Sequence, residues 1–114
     1  MNTLRNKVSL IGRLGGTPEC KQFDSGIQVA RLNIATNESY RDKNGEWVEN
    51  TQWHNVVAWG KQVDRVKKLL TKGVEVIVEG RLVNKTWETA NGEKRYSTEI
   101  EMSEFLILSP KATK

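Results

Sequence analysis

Apolar and polar residues alternate along most of this chain, and a period of two predicts strands rather than helices. Across residues 7–14, Val8 and Leu10 fall on one face and Lys7, Ser9 and Ile11 on the other, with Lys7 and Arg13 placing cations near both ends. Gly15-Gly16-Thr17-Pro18 reads as a turn, residues 19–23 as a short extension, and Asp24-Ser25-Gly26 as a second turn. Residues 27–36 form a second strand, with Ala30, Leu32 and Ile34 on its apolar face and Arg31 and Asn33 opposite. The polar run 37–49 carries Tyr40, Arg41, Lys43 and Trp47 about Asn44-Gly45. That dipeptide tolerates positive φ at both residues and marks a hairpin, here a long one with rings and cations towards its tip.

The chain is organised around its third strand, TQWHNVVAWGK at residues 51–61. Trp53, Asn55, Val57 and Trp59 share one face, and Gln52, His54, Val56 and Ala58 share the other. Two indoles thus stand on one face, six residues or roughly 20 Å apart, with Lys61 at the strand's end. Both faces carry apolar residues, so two readings fit the pair: core filling, or a stacking surface for a flexible, base-bearing polyanion.

After Gly60 the period lengthens. Val63, Val66, Leu69 and Leu70 recur at helical spacing until Gly73, with Arg65, Lys67, Lys68 and Lys72 on the solvent side. Residues 74–87 return to alternation, with Val74, Val76 and Val78 inward and Gly80 marking a bulge or bend. Arg81, Lys85 and Trp87 share a parity. Asn91-Gly92 makes a second hairpin, and residues 96–108 run back as a fifth strand, Tyr96, Thr98, Ile100 and Met102 alternating with Arg95, Ser97, Glu99 and Glu101. Three strands, one short helix and two strands, with long hairpins after the second and fourth, predict an all-β fold. The order fits a five-stranded Greek-key barrel of the oligonucleotide-binding (OB) type, its helix between strands three and four and its ligand face on strands two and three.

A length of 114 residues allows one domain, expected over residues 1–108 with a short, flexible, basic stretch at 109–114. Hydrophobic residues make up only 37%, so self-association would add stability that a core of this size supplies sparingly. The formal charge of +4 is a mild bias towards an anionic partner. Four Trp against two Phe and two Tyr raises the number of rings expected at a surface, because the indole N–H is awkward to bury. Cys20 has no second cysteine to pair with, which fits a reducing compartment, and no membrane-length apolar run is present. A soluble, cytoplasmic, nucleoid-associated protein is expected.

Catalytic sets are missing. With one histidine and one cysteine, neither a metal cluster nor a Ser/His relay has its usual second member, and no cofactor is expected. His54 reads as a packed or interface residue. Gly12-Arg13-Leu14-Gly15-Gly16 lacks the Gly-Lys-Ser/Thr ending of a phosphate loop. Glu99 and Glu101 share a strand face, where they are expected to solubilise an exposed edge rather than hydrolyse anything.

The blocks NKVSLIGRLG, ATNESYRDKNG, TQWHNVVAWGK, LLTKGVEVIVEGRL and TWE…NGEKRYSTEIEM, in this order from about Asn6 to Leu108, resemble the bacterial single-stranded DNA-binding proteins of the homotetrameric OB-fold family. The resemblance implies sequence-independent binding and protection of single-stranded DNA in replication, recombination and repair. It implies base stacking at Tyr40, Trp53, Trp59 and Trp87, and phosphate contacts at Lys7, Arg31, Lys43, Lys61, Lys72 and Lys85. It also implies a homotetramer with His54 near a subunit contact, and leaves Trp47 between loop packing and an extra platform. The family usually appends a flexible tail with an acidic tip that recruits replication and repair enzymes. Here the sequence runs to the basic Ser109-Pro110-Lys111-Ala112-Thr113-Lys114, so recruitment through such a tip is not expected. The alternatives are a primosomal OB protein of replication restart, or an OB interaction module whose Trp residues form a protein interface.

Overall fold

The structure, a computed structural model, describes residues 3–109. After a 3-10 turn (Thr3–Arg5), the described residues form six strands and one α-helix in order: β1 (Val8–Leu14), β2 (Glu19–Gln22), β3 (Gln28–Arg41), β4 (Trp47–Trp59), α1 (Gln62–Leu69), β5 (Glu75–Glu88) and β6 (Lys94–Ser109). The sheet runs β1-β5-β6-β4-β3-β2, and β1 also pairs with β3. That last pairing closes β1, β3, β4, β5 and β6 into a five-stranded barrel, with the short β2 laid on β3 as an extra strand. The expected barrel, with its helix after the Trp53 strand, is the fold observed. Residues 110–114 of the expected C-terminal stretch lie outside the described residues.

Closure depends on glycine. β1 meets β3 at Arg13↔Ala35 and Leu14↔Ile34, and a Cβ on Gly12 would run into the Ala35 carbonyl oxygen. On the far side Gly80 faces the Glu101 carbonyl in the same way, at a register shift between Glu79 and Gly80. The bulge expected at Gly80 is therefore present, and it turns the barrel's corner.

Alternation fills the interior. Ala30, Leu32 and Ile34 of β3, Val56 and Ala58 of β4, Val76 and Val78 of β5, and Ile100, Met102 and Phe105 of β6 are all buried. The helix covers one end with Val63, Val66 and Leu70. Leu69, expected on that face, is instead 43% exposed, because a two-turn helix presents one narrow stripe and Leu70 completes it.

Beyond the core the strands continue as two arms, the β3–β4 and β5–β6 hairpins. No residue in 36–55 or 81–99 is buried. The arms account for extents of 54 × 39 × 33 Å and a radius of gyration of 16.4 Å, where a compact chain of this length reaches roughly 13 Å.

All three hairpin turns, including β2–β3, are built alike. Phe23, Asp42 and Thr89 donate their N–H to the carbonyls of Ile27, Glu46 and Glu93, and the glycine in each loop donates back to the first residue. Only that glycine takes positive φ: Gly26 at 93°, Gly45 at 80°, Gly92 at 85°. Asn44 and Asn91 do not, so of each Asn-Gly pair only the glycine uses the freedom that marked the hairpin. The loops are three residues long, and in such loops one left-handed position follows an ordinary turn. The Asp42 carboxylate secures its loop by accepting the N–H groups of Asn44 and Glu46, both at 2.9 Å.

Candidate nucleic-acid interface

The register decides which rings share a face. β3 and β4 pair without a slip from Val29↔Trp59 to Arg41↔Trp47, so Trp47, Trp53 and Trp59 lie on one side of the ribbon with Arg31 and Arg41. The parallel pairing Val57↔Glu101 carries that face onto β6, and Arg81↔Glu101 through Trp87↔Arg95 carries it onto β5. All four indoles therefore belong to one continuous outer face. They are open to solvent: Trp47 67%, Trp53 62%, Trp87 49% and Trp59 40% exposed. The core-filling reading of Trp53 and Trp59 is excluded, since aliphatic side chains and Phe105 fill the barrel without them.

Tyr40 is exposed too, but it pairs with Val48 on the reverse of the ribbon. Trp47 is the ring that the resemblance leaves unassigned. Its odd number, shared with Trp53 and Trp59 along an unbroken strand, is the signal in the sequence that would have placed it.

Three of the four indoles lie against a neighbour. Trp59 stacks on Phe23 with centroids 6.4 Å apart and planes 21° from parallel, and the Lys21 ammonium lies 5.3 Å from the Phe23 centroid. The hairpin carrying β2 thus adds a ring that the sequence reading did not select. Trp53 lies over Gly15, where any Cβ would collide with the far edge of its ring. Trp47 is flanked by the Arg41 guanidinium at 5.1 Å. Arg95 stands opposite Trp87 in the register, with its guanidinium bonded to Glu93 at 2.9 Å.

A cleft of about 480 Å³ is lined by Gly16, Arg31, Asn33, Asn55, Val57 and Glu99. Glu99 binds two cations at once, Arg31 at 3.0 Å and Lys85 at 3.3 Å, with its own side chain only 12% exposed. Burial pushes the Glu99 carboxyl up, but the hydrogen bonds and charges of Arg31 and Lys85 together outweigh this and hold it below its ordinary value. The exposed edge expected for Glu99 and Glu101 is not there: β6 runs between β4 and β5, and Glu101 accepts two hydrogen bonds from Arg81.

The six cations expected to follow phosphates fall into two sets. Lys7 pairs with Glu79 at 3.2 Å, and Arg31 and Lys85 share Glu99. Lys43, Lys61 and Lys72 form no ion pair among the described residues. Lys43 sits in the β3–β4 turn and Lys61 just past Trp59 at the start of α1. Lys72 precedes Gly73, whose N–H bonds the Leu14 carbonyl beside the Gly15 that underlies Trp53. His54 faces the opposite way from the rings, half-buried, its Nε2 3.0 Å from the Thr36 hydroxyl. Among the described residues no cluster of three metal-ligating side chains occurs, and no helix is long and apolar enough to cross a membrane.

A family model described as the single-strand binding protein family matches residues 5–108. The single-stranded DNA-binding protein 1 of Chlorobaculum tepidum is 42% identical over 107 residues, covering 93% of this chain and 66% of that protein. The structure of a Plasmodium falciparum SSB complex with ssDNA matches with a TM-score of 0.84 at 38% identity, over 91% of this chain and 95% of that one. A deletion mutant of the single-stranded DNA binding protein from Thermus aquaticus matches with a TM-score of 0.80 at 32% identity, over 91% of this chain and 50% of that one. The chain thus spans just under two thirds of the curated relative and half of the Thermus protein.

Proposed function

The chain belongs to the single-strand binding protein family, and from that premise we propose that it coats single-stranded DNA without choosing sequence, in replication, recombination and repair. The observation that carries the reading is the outer face itself: four exposed indoles on one register-linked surface, with cations beside them. Every base offers a π-face, so an indole accepts any of them. For single-strand-binding OB folds such stacking is worth roughly 1–3 kcal/mol per base. Duplex bases keep their faces stacked on one another and have none to offer.

In this reading Trp53, Trp59 and Trp87 stack on bases, with Tyr40 reaching the strand from the reverse of its arm. Lys43, Lys61 and Lys72 meet phosphates directly. Lys7, Arg31 and Lys85 must first part from Glu79 and Glu99, so they contribute less per charge. The affinity falls with salt by roughly 0.7 log units per contacted phosphate per decade of salt.

Assembly follows from a second surface. Ile11, Ile77 and Leu106 are aligned across β1, β5 and β6 by the pairs Ile11↔Ile77 and Ile77↔Leu106, and Ile11 and Leu106 are 54% and 62% exposed. An apolar strip in register on a sheet face favours burial against further copies of the chain, as a homotetramer with His54 near a contact.

Tryptophan fluorescence tests the binding. Oligo-dT is expected to quench it strongly and a duplex of equal length weakly. Equal quenching by both, or none by either, overturns the reading. Light scattering tests the assembly, where a monomer mass for the wild-type chain would count against it.

A further inference from the structure

We infer that Trp47, flanked by Arg41, is a further stacking platform for an unpaired nucleobase at the outer end of the Trp53–Trp59 row. This rests on the single-stranded DNA reading and lengthens the path that reading describes. Three indoles stand at positions 47, 53 and 59, each interval an even number of residues, and the β3–β4 pairing contains no slip that could turn one of them away. At the usual strand rise the row spans roughly 40 Å, twice the Trp53–Trp59 distance. A strand lying on Trp59 and Trp53 and continuing along the same face meets Trp47 next.

The cross-strand contact of Trp47 with Arg41 does not bury the ring. It is 67% exposed, the most open of the four indoles, on an arm without a buried residue. A tip that needed only solubility would be served by any polar side chain. The Arg41 guanidinium, 5.1 Å from the ring centroid, steadies the indole without burying it and sets a positive charge where a backbone phosphate would pass. The register also places Glu38 on the reverse face with Tyr40, leaving Glu49 as the only acid among the strand residues on the ring side of this arm.

The test compares Trp47→Ala and Trp47→Phe with the wild type, using the anisotropy of end-labelled oligo-dT of about 4 and about 16 nucleotides, the ends of the range one such barrel covers. Trp47→Ala is expected to weaken the 16-mer roughly 5- to 150-fold and to leave the 4-mer unchanged. Trp47→Phe, which keeps a π-face, recovers most of that loss. Unchanged affinity for the 16-mer overturns the inference, as does an equal loss at both lengths. Failure of the wild type to bind either oligonucleotide is a separate result that sinks the single-stranded DNA reading itself.

Discussion

The barrel and the two arms are made from the same strands, yet different forces hold them. In the barrel, alternate residues of β3, β4, β5 and β6 converge on an interior where Ile34, Val56, Val76 and Phe105 are almost fully buried. In the arms the strands continue but neither face is covered, so cross-strand pairs and the Asp42 and Thr89 loop bonds do the holding. Buried residues are confined to the barrel end of each long strand, while exposed rings occur along the outer face of both regions. A single strand such as β4 therefore buries Val56 in the core and leaves Trp53 open to solvent, three residues apart.

Substitutions can separate the two regions. Phe105→Ala, in the barrel, is expected to lower unfolding free energy by about 3–5 kcal/mol in a denaturant titration. A loss under about 1 kcal/mol would mean that the core is not where the stability lies. Trp53→Ala, on the open face, should leave the denaturation midpoint nearly in place while weakening oligo-dT by about 1–3 kcal/mol. If the midpoint falls as far as in Phe105→Ala, the division between barrel and binding face is wrong.

Gly15→Ala tests the boundary between them. Its new methyl group pushes on an exposed ring rather than on backbone, so binding should weaken by up to about 1 kcal/mol with little change in stability. A stability loss larger than the binding loss would show that Gly15 serves the barrel instead of the ring.

The smallest expected effect is at Glu99. Glu99→Gln frees Arg31 and Lys85 for phosphates, so oligo-dT affinity should rise and its salt dependence steepen by up to about 1.4 log units per decade. An unchanged salt slope would rule out Glu99 as a competitor for those cations. The same variant has a signature in acid. The folded Glu99 carboxyl ionises below its ordinary value of 4.5, so its stabilisation is present at neutral pH and lost as pH falls through that lowered value. Glu99→Gln should erase this step from a plot of stability against pH.

Much of the fold is readable from local pattern. Residues 27–36 and 74–78 alternate because one face is buried, and Gly80 stands out as a gap in the row of every second residue, Val74, Val76, Val78 and Leu82. The arms are harder. Around Tyr40 and Trp47 both faces are wet, so polarity gives no alternation to follow, and only counting back from Trp59 recovers the face of Trp47. The partners of Glu99 are hidden for another reason: Arg31 lies 68 residues away, and only the pairing of both β3 and β6 with β4 brings the two side chains together. Leu69 fails differently, since both it and Leu70 fit a helical stripe and the end of a short helix decides between them.

The unbroken pairing of β3 with β4 also limits how this arm can change over generations. One residue gained or lost between Trp47 and Trp59 would rotate every side chain beyond it by half a turn and send a ring to the back of the ribbon. Length variation in descendants should accordingly gather in the loop around Asn44, or come two residues at a time along the ladder.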